Sequence, residues 1–214
     1  MKQLVITGAS GGLGCAIVKA FAGPAWKIDA PTHDELDVSD PDSVSTYFDQ
    51  RPVDLLICAA GIIRDVSLAH LSESAWDEVF AVNYSGAAAA ARAALPSMRA
   101  QGRGHVIFIS SQSAIHPPAG QVAYATAKAA LLGLTKSLAL QNGANGIRVN
   151  VILPGFLMTA MTVGLSQKRR AQILADHSLE EFNTPERVAK FIRHLQTELP
   201  HTSGQLFQLD SRIS

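Results

Sequence analysis

The chain has little cysteine and no long apolar run. Its two cysteines, Cys15 and Cys58, form neither a Cys-x-x-Cys motif nor a disulfide framework, which favours reduced thiols in a cytoplasmic protein. No apolar stretch approaches the ~18 residues that a membrane span needs. Because a β-strand is predicted to start at Lys2, we expect no signal peptide. These absences argue against a secreted disulfide scaffold and an integral membrane protein.

The chain also has no excess of charge of either sign. Lys and Arg number 18, and so do Asp and Glu, so we expect neither nucleic acid nor an anionic membrane as a partner. The seven histidines show no His-x-His or HExxH spacing, so no metal site is expected. Hydrophobic residues make up 47% of the 214 residues, which predicts one domain (1–214) with a sizeable core.

Apolar runs alternate with amphipathic helical stretches along the whole sequence. Only Pro31–Asp34 separates the second and third predicted strands, where a helix is more usual in this kind of fold. The pattern predicts an α/β protein: a Rossmann-like, doubly wound parallel sheet of about seven strands, with helices on both faces in three layers. The predicted strands are Lys2–Thr7, Trp26–Ala30, Glu35–Val38, Val53–Cys58, His105–Ser110, Ile147–Leu153 and Leu206–Leu209, and the predicted helices are Gly11–Ala22, Pro41–Gln50, Glu73–Ala100 (with a possible break), Gln121–Gln141 and Pro185–Thr197.

A glycine-rich segment follows the first predicted strand and opens the first predicted helix. Gly8, Gly12 and Gly14 are spaced GxxxGxG. Glycine lets a backbone turn tightly and approach a phosphate closely, and a helix N-terminus attracts anions. The alternative is a tight strand–helix turn without a ligand. The dinucleotide-binding interpretation is favoured, because the segment lies where such a ligand binds in α/β sheets.

The second informative segment is Tyr124-Ala-Thr-Ala-Lys128, which lies 13 residues after Ser111. Residues four apart share one face of a helix, so the Lys128 ammonium lies beside the Tyr124 phenol. Taken alone, this spacing also fits a half-buried tyrosine next to a solvated lysine. The glycine segment, Ser111, the Tyr–Lys pair and Pro154-Gly155 all follow predicted strands, and such positions meet in one crevice. The combination favours hydride transfer with Tyr124 as the proton partner.

In these motifs the chain resembles the short-chain dehydrogenase/reductase family, in its compact single-domain form. The resemblance implies an NAD(P)-dependent oxidoreductase that interconverts a secondary alcohol and a ketone. It implies a catalytic tetrad of Asn83, Ser111, Tyr124 and Lys128. It also implies cofactor contacts along the chain, namely Gly8, Ser10, Gly12, Leu13 and Gly14 in the phosphate loop, Asp37 and Val38 at the adenine, Ala60 and Gly61 at the ribose, and Pro154, Gly155, Leu157 and Thr159 at the nicotinamide.

The resemblance further implies a mechanism. Lys128 favours the Tyr124 phenolate and binds the nicotinamide ribose, Ser111 stabilises the substrate oxygen, and Asn83 holds a water that links Lys128 to solvent. One departure stands out. The family's Asn-Asn-Ala-Gly motif is here Cys58-Ala-Ala-Gly61, so the hydrogen bonds of both asparagines are replaced or lost. A non-catalytic dinucleotide-binding regulatory or scaffolding protein is the alternative function.

Cofactor choice depends on the residue after the second strand. The position that carries a carboxylate in NAD-preferring enzymes falls near Thr32, with His33 next. Neither side chain is acidic, and both can donate hydrogen bonds to a 2′-phosphate, so NADP is favoured. NAD remains an alternative, because Asp29 or Asp34 can reach the ribose if the alignment shifts by one or two residues.

The substrate and the assembly are less specified. Residues 156–183 are predicted to form a lid over a small-molecule substrate that the sequence does not identify. His116, and the basic run Lys168–Arg170, are candidates for contacting or steering that substrate, or are ordinary solvated side chains.

The alanine-rich stretch Ala87–Ala94 and the Tyr124 helix carry small residues. The family commonly pairs these two helices across a two-fold axis, which predicts a homodimer or homotetramer; internal packing is the alternative.

Overall fold

The computed structural model describes residues 1–212. In this range, one sheet contains six strands, all parallel, in the order β2-β1-β3-β4-β5-β6. The strands are β1 (Lys2–Thr7), β2 (Trp26–Asp29), β3 (Leu55–Cys58), β4 (Gly104–Ile109), β5 (Ile147–Leu153) and β6 (Leu206–Gln208). The strand order changes direction between β1 and β3, and a crevice forms at the carboxyl ends of parallel strands at such a point.

Seven α-helices accompany the sheet in the described range: α1 (Gly12–Phe21), α2 (Pro41–Phe48), α3 (Glu73–Phe80), α4 (Gly86–Gln101), α5 (Val122–Asn142), α6 (Gln167–Ala175) and α7 (Pro185–Thr197). Side-chain caps start several of them. Asp40 accepts a hydrogen bond from Asp42 N, and Thr184 accepts one from Arg187 N; such caps satisfy amide groups that have no partner in the helix. Among the described helices, none is long and apolar enough to cross a membrane.

The sheet is buried on both faces, as its almost uninterrupted apolar strands predict. Two hydrophobic clusters cover it. On one face, alanines and Met98 of α4 pack with Leu131 of α5 against alternate residues of β3, β4 and β5. On the other face, Ile17 of α1 and Ile192 of α7 pack against the intervening residues of the same strands. The structure is therefore the predicted three-layer α/β fold of Rossmann type.

The predicted strand Glu35–Val38 is wrong, and this accounts for six strands rather than about seven. The segment forms turns between β2 and α2. Its acidic side chains bond locally instead of alternating across a sheet: Glu35 accepts from Thr32, and Asp37 accepts from Ser39. Local side-chain hydrogen bonds of this kind compete with a strand ladder.

The long predicted helix Glu73–Ala100 is interrupted. A π-helical turn spans Ala81–Ser85 between α3 and α4. Asn83 lies in this turn and is fully buried. Single π turns inside helices are often found at functional sites, and here the turn directs Asn83 towards the carboxyl ends of the strands.

Candidate functional site

A cavity of ≈ 1250 Å³ opens at the carboxyl ends of β1, β3, β4 and β5. Segments that are far apart in the sequence form its wall, namely the glycine-rich turn, the segment after β3, the turn after β4, the first turns of α5 and residues 154–176. The cavity brings together most of the predicted site residues: Gly8, Ser10, Gly12, Leu13, Gly14, Ala60, Gly61, Ser111, Tyr124, Lys128, Pro154, Gly155, Leu157 and Thr159. Asn83, Thr32, Asp37 and Val38 lie outside this lining.

The glycine-rich turn leaves no room for a side chain at Gly8 or Gly14. Gly8 has φ +71°, and a Cβ on it would lie 2.6 Å from Ala60 N. A Cβ on Gly14 would lie 2.3 Å from Gly8 O. The turn therefore needs glycine at both positions, and it presents bare backbone and the N-terminus of α1 to the cavity. A dinucleotide pyrophosphate fits such a cradle.

The segment after β5 touches the glycine-rich turn directly. A Cβ on Gly12 would lie 2.9 Å from Thr159 Cγ2. Thr162 Oγ1 accepts a hydrogen bond from Thr159 N and donates one to Leu157 O, which fixes the local turn. The segment that follows Pro154-Gly155 therefore lies against the phosphate end of the cavity, so one extended ligand can contact both.

Lys128 is buried beside Tyr124. Its Nζ donates a hydrogen bond of 2.9 Å to Ile109 O and lies 5.8 Å from the centroid of the Tyr124 ring. Burial lowers the pKa of Lys128 to about 8, with a smaller opposing effect from Cys58. Desolvation of an ammonium without a neighbouring carboxylate has this effect.

The pKa of Tyr124 is raised in this structure, although the charge of Lys128 is expected to lower it. Burial is the main cause of the increase; the hydrogen bond with Ser111 opposes it, and the Asp65 carboxylate adds to it. The expectation neglected desolvation, which disfavours a buried phenolate. Burial therefore favours the protonated phenol of Tyr124.

Asn83 lies beneath the cavity floor. Its Nδ2 donates to Ile62 O and Val79 O, both at 2.9 Å. Its Oδ1 is buried and has no hydrogen-bond partner within residues 1–212. A Cβ on Gly61 would lie 2.7 Å from this oxygen and 3.4 Å from Lys128 Nζ. The unpaired acceptor thus faces the Lys128 side of the cavity, where a donor from water or a ligand would satisfy it.

The segment without the two asparagines is held by Thr7. Ala59 N donates to Thr7 O at 3.2 Å, and Ala60 N donates to Thr7 Oγ1 at 3.3 Å. The Cys58 thiol is buried and donates to Ala87 O at 3.7 Å, and burial raises the pKa of Cys58 to about 12. Backbone and threonine bonds therefore brace this turn, and Cys58 is a protonated core thiol.

The turn after β2 contains Glu35, which is not among the predicted site residues. Thr32 N and Thr32 Oγ1 both donate to Glu35 Oε2, at 2.8 and 3.1 Å. These bonds lower the pKa of Glu35, and the bond from the Thr32 backbone contributes most. A carboxylate is thus bound at the position predicted for the cofactor ribose. The Thr-x-x-Glu spacing, typical of local capping pairs, is the sequence signal that identifies it.

The other two residues predicted on the adenine side lie next to this turn. Asp37 Oδ1 accepts hydrogen bonds from Ser39 N and Ser39 Oγ, at 2.8 and 2.6 Å, and the hydroxyl is the main reason that the pKa of Asp37 is lowered. Val38 packs against the start of α4, where a Cβ on Gly86 would lie 2.9 Å from Val38 Cβ. Both residues therefore have structural contacts of their own.

Comparison with known proteins agrees with this geometry. The sequence profile of the short chain dehydrogenase family matches residues 32–170. A 3-oxoacyl-[acyl-carrier-protein] reductase, FabG, of Thermotoga maritima is 31% identical, over 99% of this chain and 97% of its own length. The chain belongs to the short-chain dehydrogenase/reductase family. It is therefore an oxidoreductase of a family that uses NAD(P).

Further members of the family resemble the chain to a similar degree. The FabG 3-oxoacyl-[acyl-carrier-protein] reductase of Escherichia coli is 31% identical, over 98% of this chain and 96% of its own length. A crystal structure of a putative NAD(P) dependent gluconate 5-dehydrogenase from Beutenbergia cavernae, with bound NADP at low occupancy, superposes with a TM-score of 0.93. It is 28% identical and covers 98% of this chain and 95% of its own.

Proposed function

We propose that the chain catalyses the NAD(P)-dependent interconversion of a ketone and a secondary alcohol, with a 3-oxoacyl thioester as the leading substrate class. The observation that carries the proposal is that Ser111, Tyr124 and Lys128 line the same cavity as a glycine-rich turn in which Gly8 and Gly14 have no room for a side chain. The 3-oxoacyl reductases among its relatives support the substrate class.

In the proposed mechanism, a nicotinamide cofactor would, when bound, supply or accept the hydride. Ser111 donates a hydrogen bond to the substrate oxygen and stabilises the negative charge that develops there. Tyr124 gives its proton to that oxygen during reduction. Lys128 holds a positive charge beside Tyr124. Asn83 Oδ1 accepts a hydrogen bond from a water that connects Lys128 to solvent. Burial keeps Tyr124 protonated, which suits reduction.

The same geometry supports the proposed cofactor contacts. Gly8, Gly12 and Gly14 offer backbone to the pyrophosphate, and Gly61 leaves room for the nicotinamide ribose next to Lys128. The remaining contacts proposed are those of Ser10, Leu13, Thr32, Asp37, Val38, Ala60, Pro154, Gly155, Leu157 and Thr159. We propose NADP as the preferred cofactor, with NAD also used. The bound carboxylate of Glu35 works against a 2′-phosphate, so it limits this preference.

We also propose that residues 1–214 act as one catalytic domain, with 156–183 as the substrate lid, and that copies associate into a homodimer or homotetramer. The proposed partner is a small carbonyl or alcohol compound. Location in a reducing cytoplasm stays a prediction from the free thiols Cys15 and Cys58.

The alternative is a dinucleotide-binding protein that no longer turns over. A consumption assay separates the two functions: NADPH or NADH is mixed with a panel that includes a 3-oxoacyl thioester, a keto sugar acid and simple ketones. The proposal expects oxidation of the cofactor with at least one 3-oxoacyl thioester, and its loss in Tyr124→Phe. Cofactor binding without consumption across the panel would favour the non-catalytic alternative.

A further inference from the structure

A chain of hydrogen bonds runs along one side of the cavity and ends on the Ser111 hydroxyl. Ser113 N donates to Ser111 Oγ at 3.1 Å. Ser113 Oγ donates to Gln121 Oε1 at 2.8 Å, and Gln121 Nε2 donates to Asp65 Oδ2 at 2.7 Å. All four residues line the cavity, and the roles proposed above for the tetrad involve only Ser111 among them.

The Asp65 carboxylate sets the direction of the two side-chain bonds in this chain, while the backbone N–H of Ser113 can only donate to Ser111 Oγ. An ionised carboxylate only accepts hydrogen bonds, so the amide of Gln121 must turn its NH₂ group towards Asp65. Its oxygen then faces Ser113, whose hydroxyl must donate. With the oxygen and nitrogen of Gln121 exchanged, two acceptors would face each other at Asp65. Asp65 thereby fixes the orientation of Gln121 and Ser113.

The chain also joins the elements that carry the reacting groups. Asp65 follows β3, and Ser113 lies in the 3₁₀ turn after β4. Gln121 is the residue at the start of α5, three positions before Tyr124. A backbone bond of 2.8 Å from Val66 N to Gly120 O reinforces the same junction. Ser111 and Tyr124 come from different elements, and this network is a direct polar link between their two segments.

The bond from Ser113 N has a consequence for Ser111. It occupies a lone pair of Ser111 Oγ, so the hydroxyl proton is directed elsewhere. Ser111 has a side-chain hydrogen bond with Tyr124, which lowers the pKa of that phenol, while burial and the Asp65 charge raise it. Asp65 is therefore connected to Ser111 through the hydrogen-bond chain and acts on Tyr124 through its charge.

We propose that Asp65 and Gln121 are positioning residues for the reaction: through their hydrogen bonds they hold the Ser113–Ser111 turn against the start of the helix that carries Tyr124. This inference rests on the proposed function for its relevance to catalysis. A further effect, that of the Asp65 charge in raising the pKa of Tyr124, can be tested without turnover. Loss of the charge should ease ionisation of Tyr124, whereas loss of the chain should weaken alignment of the Ser111 hydroxyl.

The experiment compares Asp65→Asn with a matched surface variant, Glu78→Gln. Glu78 is an exposed carboxylate that pairs with Arg64, the neighbour of Asp65. Tyr124 ionisation is followed by tyrosinate absorbance, as the difference between each protein and the same protein carrying Tyr124→Phe. The other charged or titratable side chains lining the cavity are unchanged in both variants: Lys128, His116, Arg169, Asp176 and Arg212.

The expected result is a downward shift of the Tyr124 titration in Asp65→Asn by roughly half a pH unit, smaller at high salt because Asp65 is exposed. Glu78→Gln should leave the titration in place. An unchanged titration in Asp65→Asn, or an equal shift in both variants, would overturn the inferred effect of the Asp65 charge on Tyr124. This readout needs no substrate, so its failure is distinct from failure of the proposed function.

The positioning role of Asp65 and Gln121 is tested with the variants Gln121→Leu and Gln121→Glu in the active enzyme. Both break the chain, and the second adds a charge facing Asp65. We expect kcat to fall about tenfold in each, with KM for the cofactor nearly unchanged, and the pH at which the oxidation rate rises to move down in Asp65→Asn. Wild-type kcat in both Gln121 variants would contradict the positioning role.

Discussion

Gly61 lies directly against the carboxamide oxygen of Asn83, at a separation that leaves no room for a methyl group. Asn83 cannot easily move away, because it is fully buried and its Nδ2 is held by Ile62 O and Val79 O. The π turn that carries Asn83 and the turn that carries Gly61 are thus fitted to each other beside Lys128.

This contact predicts that Gly61→Ala is damaging. The new Cβ would push Asn83 or Lys128 from its place, and overpacking of this kind costs about 1–3 kcal/mol. We expect lower stability in chemical denaturation and weaker cofactor binding. Gly143→Ala is the control, since no described atom lies within 4 Å of its Cβ position and its backbone is helical. If both variants behave like the wild type, the fit between Gly61 and Asn83 is not tight.

Cofactor choice is predicted to depend on Glu35. Replacing it with Gln removes the negative charge at Thr32, so NADPH affinity should rise relative to NADH affinity by about three- to tenfold. The dissociation constants of both reduced cofactors provide the measurement. Asp34→Asn removes the same charge one residue earlier and is the matched comparison. A larger effect in Asp34→Asn would mean that Asp34, not Glu35, faces the ribose.

A buried histidine far from the site predicts acid sensitivity. His105 lies between Gln196 Oε1 at 2.6 Å and Asn150 Nδ2 at 2.9 Å. Asn150 Nδ2 is a donor, so His105 is neutral with its proton on Nδ1. Burial, with a smaller effect from Arg148, lowers the pKa of His105 to about 3, from 6.5.

The unfolded chain therefore binds more protons than the folded one between these two pKa values, and stability must fall as the pH drops through that window. Between about pH 7 and about pH 5, we expect this group to remove about 2 kcal/mol of unfolding free energy. His105→Gln should be less stable at neutral pH and lose less on acidification. Parallel pH dependence of the two proteins would show that His105 is not the responsible group.

Assembly is predicted to be dimeric or tetrameric. Part of the alanine stripe of α4 is used internally, because Ala87, Ala90, Ala91 and Ala94 pack on the sheet. On α5, Leu140 is 87% exposed, an unusual position for a large apolar side chain in a monomer. Light scattering at micromolar concentration should give twice or four times the chain mass of 22.7 kDa. A monomeric mass would leave internal packing as the only role of these residues.

Much of the fold follows from the sequence because strong local signals agree with the packing. β1, β5 and α7 have the predicted limits, and each combines an apolar pattern with a clear boundary such as Thr184-Pro185. The predicted strand Glu35–Val38 is wrong because its acidic side chains bond to Thr32 and Ser39, which flank the segment. Periodicity does not reveal such bonds, since they depend on which rotamers bring Thr32 and Glu35 together.

The site was predictable as a set of positions but not as an electrostatic environment. Motif spacing brings Ser111, Tyr124 and Lys128 to one wall, as expected. The spacing carries no information on desolvation, so it gave the wrong direction for the pKa of Tyr124. The spacing also gives no indication of Asp65 and Gln121, because their proposed positioning role depends on three separate segments that meet at the cavity.

The most direct test of the proposed chemistry is the rate of hydride transfer in Tyr124→Phe. The substitution removes the transferable proton and almost no volume, so turnover should fall about a hundredfold or more, while the dissociation constant of the reduced cofactor stays close to that of the wild type. Lys128→Ala should instead lower turnover and also weaken cofactor binding. Retention of most of the wild-type rate by Tyr124→Phe would contradict the assignment of Tyr124 as the proton donor.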